Sequence, residues 1–449
     1  MKKICLTLLL SLFCFSGYSQ FLEDRQSTAQ VLKGLEYLYN LQHAQAEAEF
    51  APVKAKYADH PVKYLLNALQ IQWKNIPIDQ HSTALNTYLA ELNKCVEASH
   101  RYYEKPDYKM ECTFFLLAGH GFLALAENYK GSFMSATQEA RKALKYFKEG
   151  KKYKNSNAEF LFANGLYNYY RERYPETRPI VKPIMVFFDA GNKAQGLAEL
   201  EKSFRNSVFS RTEAAMYLRD IYIKYEANFG KALYFSTEIY RDHSNNFIFR
   251  IAQIESLLLN LKFEEAEKLN EGLKPLNNPV AGLSYHMFDG YLKEHKYKNL
   301  PQAKAAYQRA LKVKYNDRYT KEYMAFAYLG LARIAAQEGD KAAARNYYKQ
   351  CLKYAEYLWL ITVVKEEQKK VVQLGGTMRL GTWVTDLVAG SKVYNLYQSA
   401  TITERHRHRY EFNSDFKDEL GAKGLKVSGT SPDGQLAEVV ELENHPYFV

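Results

Sequence analysis

From about residue 20 to about residue 360, apolar positions recur every three to four residues between short polar turns, the period of amphipathic α-helices. One unit is YLGLARIAAQEGDKAAARNYYKQCL, Tyr328 to Leu352. Its first half places Tyr328, Leu331, Ala332 and Ala335 on one face. Gly339 supplies the turn, and Ala344, Tyr348, Cys351 and Leu352 line the second helix. Small residues at Ala332 and Ala344 let two backbones approach, while Tyr328 and Tyr348 fill the space beside them. The second-helix pattern returns at Ala303, Tyr307 and Ala310, at Ala136, Ala140 and Ala143, and at Ala46 and Phe50. It begins again at Ala232 and at Ala266. Connections such as Leu273 to Pro279 differ in length, so the spacing drifts. The pattern predicts about eight helix pairs.

This alternation of small and large residues over paired helices resembles tetratricopeptide-repeat (TPR) proteins, across about three quarters of the chain. The resemblance implies a mostly α fold, a TPR-like α-solenoid. Such pairs cannot bury their faces alone and stack into a superhelix. Its concave groove is expected to hold a protein or peptide partner. GLYNYYRERYP (Gly165 to Pro175) and AGNKAQGLAELEKS (Ala190 to Ser203) more narrowly resemble repeat proteins of the tetratricopeptide repeat protein 39 type. Between them lies PIVKPIMVFFDAG, whose prolines preclude a regular long helix. Its apolar run Ile184 to Phe188 reads either as an element packed on its own repeat or as a patch touching a membrane surface or partner. Arg171, Arg173, Arg178 and Lys182 read either as a solvated helix end or as a clamp for a carboxylate.

After Leu360 the helical period stops. Glycines cluster in LGGTMRLG, and short β-prone segments alternate with turns: Thr382 to Val388, Arg409 to Phe412, Gly424 to Val427 and Leu436 to Leu442. A short helix is expected over Ser414 to Leu420. The segments EEQKKVVQLGGTMRLG, ERHRHRYEF and GLKVSGTSPDGQLAEVVELENHPYFV resemble the last part of the glutaminase domain of CTP synthase, over Thr362 to Val449. That family aminates UTP with ATP, using ammonia released from glutamine. The resemblance implies an incomplete α/β fragment in which Arg409 contacts the carboxylate of substrate glutamine, a task suited to a planar guanidinium. The family's nucleophilic Cys, its His-Glu pair and its synthetase half do not match any segment here, so no catalytic residue is assigned. The tail is expected to be catalytically incomplete and joined by a gene rearrangement or an assembly error. The alternative is a glutamine amidotransferase of the CTP synthase type, a glutamine-hydrolysing ligase. His406 and His408 point the same way on a strand, but a third ligand is not evident, so no metal is assigned.

The remaining features define the chain's compartment and exclude other classes. Lys2 and Lys3 precede the apolar run Ile4 to Phe15, and Gly17-Tyr18-Ser19 offers small residues to a signal peptidase. Residues 1–19 are expected to be a signal peptide, 20–360 the repeat domain and 361–449 the CTP-synthase-like fragment. The mature chain is then exported, periplasmic or secreted; a cytoplasmic location follows only from the CTP synthase reading. Cys95, Cys112 and Cys351 remain, too few and too scattered for a disulfide framework or a thiolate zinc site. They read either as a Cys95–Cys112 disulfide with one thiol or as buried thiols. The formal net charge of +11 is dispersed, its densest run being Lys148 to Lys154 at a helix end, which predicts a solvated face and no nucleic acid. Phosphate-loop, Gly-x-Ser-x-Gly and His-Glu-x-x-His motifs are absent from the sequence, and no cofactor is expected. The first expectation is therefore a non-enzymatic, exported binding scaffold.

Overall fold

The computed structural model describes residues 20–78, 82–177, 182, 189–371, 379–408, 412–413, 416–434 and 436–448. Arg409, Arg178 and the run Ile184 to Phe188 lie outside the described residues. The chain divides into two compact units: Met1–Ala327 with Glu356–Trp359, and Tyr328–Ala355 with Leu360–Val449.

In the first unit, helices come in antecedent–follower pairs that touch along their lengths. They are α1 (Arg25–Tyr39) with α2 (His43–Lys56), α3 (Pro61–Lys74) with α4 (Leu85–Tyr103), and α5 (Lys109–Tyr129) with α6 (Phe133–Gly150). There follow α7 (Glu159–Thr177) with α8 (Lys193–Asn206), α9 (Arg211–Lys224) with α10 (Phe229–Asp242), α11 (Phe247–Leu259) with α12 (Phe263–Glu271), and α13 (Pro279–His295) with α14 (Leu300–Lys312). α15 (Lys321–Gln337) begins in this unit; its second half, from Tyr328, and α16 (Lys341–Tyr354) belong to the second unit. The architecture is a TPR-like α-solenoid.

Asn or Asp side chains start many of these helices by accepting an orphan backbone N–H. Asn192 caps α8, Asn228 caps α10, Asn299 caps α14 and Asp340 caps α16. Within pairs, the tight turn needs one residue in the left-handed region. Gly131 (φ 82°) and Gly339 (φ 80°) occupy it without penalty, whereas Leu41, Ala227, Leu261 and Lys298 do so at φ between 47° and 60°. The core follows the small–large pattern: Ala303, Tyr307, Ala310, Ala46 and Phe50 are buried. At α7 and α8 the backbones themselves meet. A Cβ on Gly196 would lie 2.6 Å from the Tyr169 nitrogen and 2.7 Å from the Gly165 oxygen. By length and composition the run Pro106–Tyr129, which contains α5, is apolar enough to cross a membrane; more than half of its most apolar 18-residue stretch is buried inside the protein.

Three expectations need correction here. Ala140 is exposed and Ala136 and Ala143 are only half-buried. α6 packs on α5 through its second half instead, where Tyr146 joins Cys112 and Leu116 in one cluster. Cys95, Cys112 and Cys351 are buried free thiols, so the disulfide alternative falls. Finally, the helical region does not stop at Leu360, because α17 runs Leu358–Val371.

In the second unit, Tyr328 of α15 stacks on Tyr354 of α16 at 5.7 Å. Arg333 of α15 grips Glu367 of α17 through both Nε and Nη2 at 2.8 to 3.0 Å. The tail forms an antiparallel sheet of order β2-β1-β3-β4, from β1 (Arg379–Leu387), β2 (Thr401–His408), β3 (Leu425–Thr430) and β4 (Ala437–Leu442). α18 (Lys392–Tyr397) lies between β1 and β2, and α19 (Lys417–Ala422) precedes β3. Leu387, Val393 and Ile402 form a small core. β2 was not among the expected strands; it forms because Thr401-Ile402-Thr403 is itself β-branched and pairs with Val384 to Asp386, while the expected Arg409 to Phe412 falls mostly outside the described residues.

Candidate functional site

The first unit encloses a groove of about 1420 Å³. Much of its wall comes from the first helices of successive pairs: Trp73 of α3, Phe122 of α5, Phe162 of α7, Tyr217 of α9, Glu255 of α11 and Tyr323 of α15. These positions face inward because each first helix buries one flank on its partner and leaves the opposite flank to the concave side. The segment 312–319 between α14 and α15 also lines the groove.

The polar groups of this wall fall into two sets. The first holds the scaffold together. Glu255 is buried and accepts from Arg219 Nη2, from the Tyr323 hydroxyl at 3.0 Å and from the Tyr357 hydroxyl at 2.6 Å. Arg219 also reaches Asp220 at 2.7 Å, so its charge is matched inside the wall. Glu159 accepts the backbone N–H groups of Phe209 and Ser210 at 3.1 and 3.2 Å, just before α9, along with the Ser210 hydroxyl at 2.9 Å. Glu322 accepts those of Glu356 and Tyr357 at 2.7 and 3.3 Å. Burial pushes the Glu322 carboxyl up to about 8, against the pull of those two amides. Burial likewise raises Glu213 to about 7, although the Tyr39 hydroxyl donates to it at 2.6 Å.

The second set faces the opening. Arg318 is exposed on segment 312–319, its guanidinium 5.0 Å from the Tyr319 ring centre and 5.7 Å from that of Tyr129. Lys312 and Lys314 of the same segment are also exposed and line the groove. The sequence offers no period or motif at Arg318, so only the fold reveals it. Of the arginines singled out beforehand, Arg178 lies outside the described residues. Arg173 is consumed internally by Glu176 at 2.9 Å, the Tyr225 carbonyl at 2.6 Å and Glu226 at 2.8 Å. Lys182 is exposed.

In the tail, Arg409, the one assigned binding residue, lies outside the described residues. His406 is nearly buried, its Nδ1 3.4 Å from Glu438. Among the described residues no group of three or more His, Cys, Asp or Glu is gathered as a metal site.

Helix pairs lining a groove make a TPR-like α-solenoid, and a sheet-forming segment follows it in sequence. No protein-family model matches the chain. One segment of 84 residues is 54% identical to the CTP synthase of Flavobacterium johnsoniae, spanning 19% of this chain and 16% of that enzyme. The CTP synthase of Fibrobacter succinogenes is 59% identical over 85 residues, and that of Bacillus subtilis 52% over 83 residues; these cover 18% of this chain and 15% and 16% of those enzymes. The chain thus spans about a sixth of the curated relatives it matches. Among solved structures, a tetratricopeptide repeat protein from Parabacteroides merdae aligns with a TM-score of 0.30 at 14% identity, covering 67% of this chain and 99% of that one.

Proposed function

We propose that this protein is an exported, non-enzymatic scaffold that holds a peptide segment of a partner protein in the groove of its first unit. The observation that carries this reading is the groove itself. At about 1420 Å³ it exceeds the usual volume of a small-molecule pocket, roughly 300–1,000 Å³. Its wall mixes aromatic side chains with a few charged groups, as peptide grooves do. The repeat domain takes residues 20–360 in this proposal. Residues 361–449 are a joined, catalytically incomplete CTP-synthase-like segment.

Gly121 of α5 gives the test. It lines the groove, and a Cβ added there meets nothing within 4 Å. Gly121→Trp should obstruct the groove at α5 without disturbing the core. Binding of a random octapeptide pool by the full chain, measured by equilibrium capture and mass spectrometry, is expected to be lost in this variant at unchanged circular dichroism. Binding that survives the substitution places the site elsewhere and removes the proposal. Export rests on residues 1–19; N-terminal sequencing of the protein outside the cytoplasm should begin at Gln20, and an intact Met1 there refutes the cleavage.

A second reading, glutamine hydrolysis of the CTP synthase kind, is favoured by the 54% identity of the 84-residue segment. The full chain is expected to release no glutamate from glutamine. Measurable hydrolysis that disappears in Arg409→Ala would establish the second reading instead.

A further inference from the structure

We propose that the outer face of α6 adsorbs to an anionic lipid bilayer, with Phe133 and Met134 entering the acyl boundary and Arg141, Lys145 and Lys148 lying among the lipid phosphates. The inference is independent of what the groove holds.

Little of α6 is committed to the stack. Of its 18 residues Tyr146, Phe147 and Gly150 alone are buried, all near its C-terminal end. The opposite flank carries a regular stripe. An α-helix turns about 100° per residue, so Met134, Arg141, Lys145 and Lys148, at i, i+7, i+11 and i+14, fall within about 60° of one another and span about 20 Å of axis. All four are exposed, Met134 by 78%. Phe133 precedes them, shares the rim of the groove and is 70% exposed. Two adjacent large apolar side chains standing in water at one helix end mark a contact surface.

The charge on this stripe has one sign. Arg141, Lys145 and Lys148 form no ion pair among the described residues, and Lys145 rests over the ring of Tyr146 at 5.2 Å. The acids of the same helix are already engaged. Glu139 is held by His120 and by Lys142, each at 2.6 Å. Glu149 accepts from the Tyr103 hydroxyl and lies 3.7 Å from Lys109. Asp189, which senses Lys148, is bound by Lys151 at 2.7 Å. The face therefore offers three uncommitted cations in a row behind an apolar tip.

That order of chemistries selects the occupant. A bilayer surface presents anionic headgroups with the acyl boundary about 5–10 Å beneath them, so one helix can meet both. A nucleic acid offers phosphates but no saturated apolar layer to receive Met134. An acidic protein would have to place an apolar socket at one end of a row of carboxylates, whereas a bilayer supplies both at every point. Each Lys or Arg near such a surface contributes roughly fivefold to binding, and three together about a hundredfold.

The test uses the chain from Gln20, which keeps every described residue. It is floated with vesicles of phosphatidylcholine alone or mixed with phosphatidylglycerol. Partitioning is expected onto the mixed vesicles, weakening as salt is raised. The triple variant Arg141→Gln, Lys145→Gln, Lys148→Gln should lower it by about a hundredfold, and Phe133→Ser with Met134→Ser by about tenfold or more, both at unchanged circular dichroism. A control triple, Lys202→Gln, Lys268→Gln, Lys274→Gln, removes the same charge from exposed positions elsewhere in the unit and should change little. Gly121→Trp should change nothing. A native chain that ignores both vesicles overturns the proposal. So does an equal loss in the control triple, which would reduce adsorption to net charge. Partitioning unchanged by the Phe133 and Met134 substitutions overturns the insertion of the tip. If the vesicles fail but polyglutamate binds through the same three cations, the face is a protein site and the lipid assignment falls.

Discussion

Glu322 allows the burial of charge in the groove wall to be measured directly. This second residue of α15 is 9% exposed, and burial lifts its carboxyl from the ordinary 4.5 to about 8; the negative charge of Glu255 adds to the rise and Lys224 opposes it. In the unfolded chain the group ionises near 4.5, while in the folded chain it keeps its proton until about pH 8. The folded state therefore binds one more proton across this window. The contribution is fully present below about pH 4.5 and is lost as pH rises through 8. At ~1.36 kcal/mol per pH unit the full difference is on the order of 5 kcal/mol. Glu322→Gln removes the titration and keeps one oxygen for an amide donor. Urea unfolding at pH 5 and pH 9, followed by the fluorescence of Trp73 and Trp359 in the same unit, should show the native chain losing several kcal/mol more than the variant. Glu213 titrates in both proteins and cancels. Equal losses in the two proteins would refute the reasoning, because they would mean that Glu322 is already ionised when folded.

Gly196→Ala is expected to destabilise the first unit by about 1–3 kcal/mol or more, the cost of overpacking a tight contact. The neighbour here is backbone, which cannot turn aside; an unchanged urea midpoint would show that α7 and α8 separate freely. Leu261 holds φ 59° with 69% of its surface exposed, so Leu261→Gly relieves left-handed strain of roughly 1–2 kcal/mol. Greater unfolded-state freedom of glycine offsets about half of that. A net gain of some tenths of a kcal/mol is expected in urea, and a loss would locate a packing role for the leucine side chain.

The helix pairs were legible because their signal is local. Ala303, Tyr307 and Ala310 sit one turn apart and need only the helical period to reveal a buried face. Turns were legible only where glycine marks them, at Gly131 and Gly339. Leu41, Ala227, Leu261 and Lys298 adopt the same left-handed turn without a compositional sign, because the packed helices on either side impose it. In the tail the expected segments at Thr382, Gly424 and Leu436 fall on β1, β3 and β4, and β2 was missed for a related reason. The run Arg379 to Asp386 selects its partner by register, and that partner is Thr401 to His408. Register is a tertiary choice that β-propensity alone does not fix. The candidate site was the least legible part. Arg171, Arg173, Arg178 and Lys182 drew attention by clustering in sequence, yet Arg173 spends its donors on Glu176, Glu226 and a carbonyl. Arg318 stands alone in sequence, and its tyrosine neighbours come from α4, α5, α9 and its own segment.

The carboxylates of the first helices explain why the free charge lies where it does. Glu111 of α5 accepts from the backbone of Leu22 and pairs with His60 at 2.7 Å. Glu159 of α7 holds the amides ahead of α9, and Glu322 of α15 those of Glu356 and Tyr357. Each sits in the first turn of its helix and reaches a chain segment that would otherwise enter the stack with unpaired N–H groups. Burying such groups unpaired costs about 1–3 kcal/mol each, so an acid at this position stabilises the stack even though its own desolvation is unfavourable. Those acids cannot be released to meet a partner without loosening the pairs. The segment between α14 and α15 carries no such duty, and its cations can be left unmatched at little expense to the fold. The wall thus commits Glu159 and Glu322 to its own backbone, while exposed cations lie on segment 312–319.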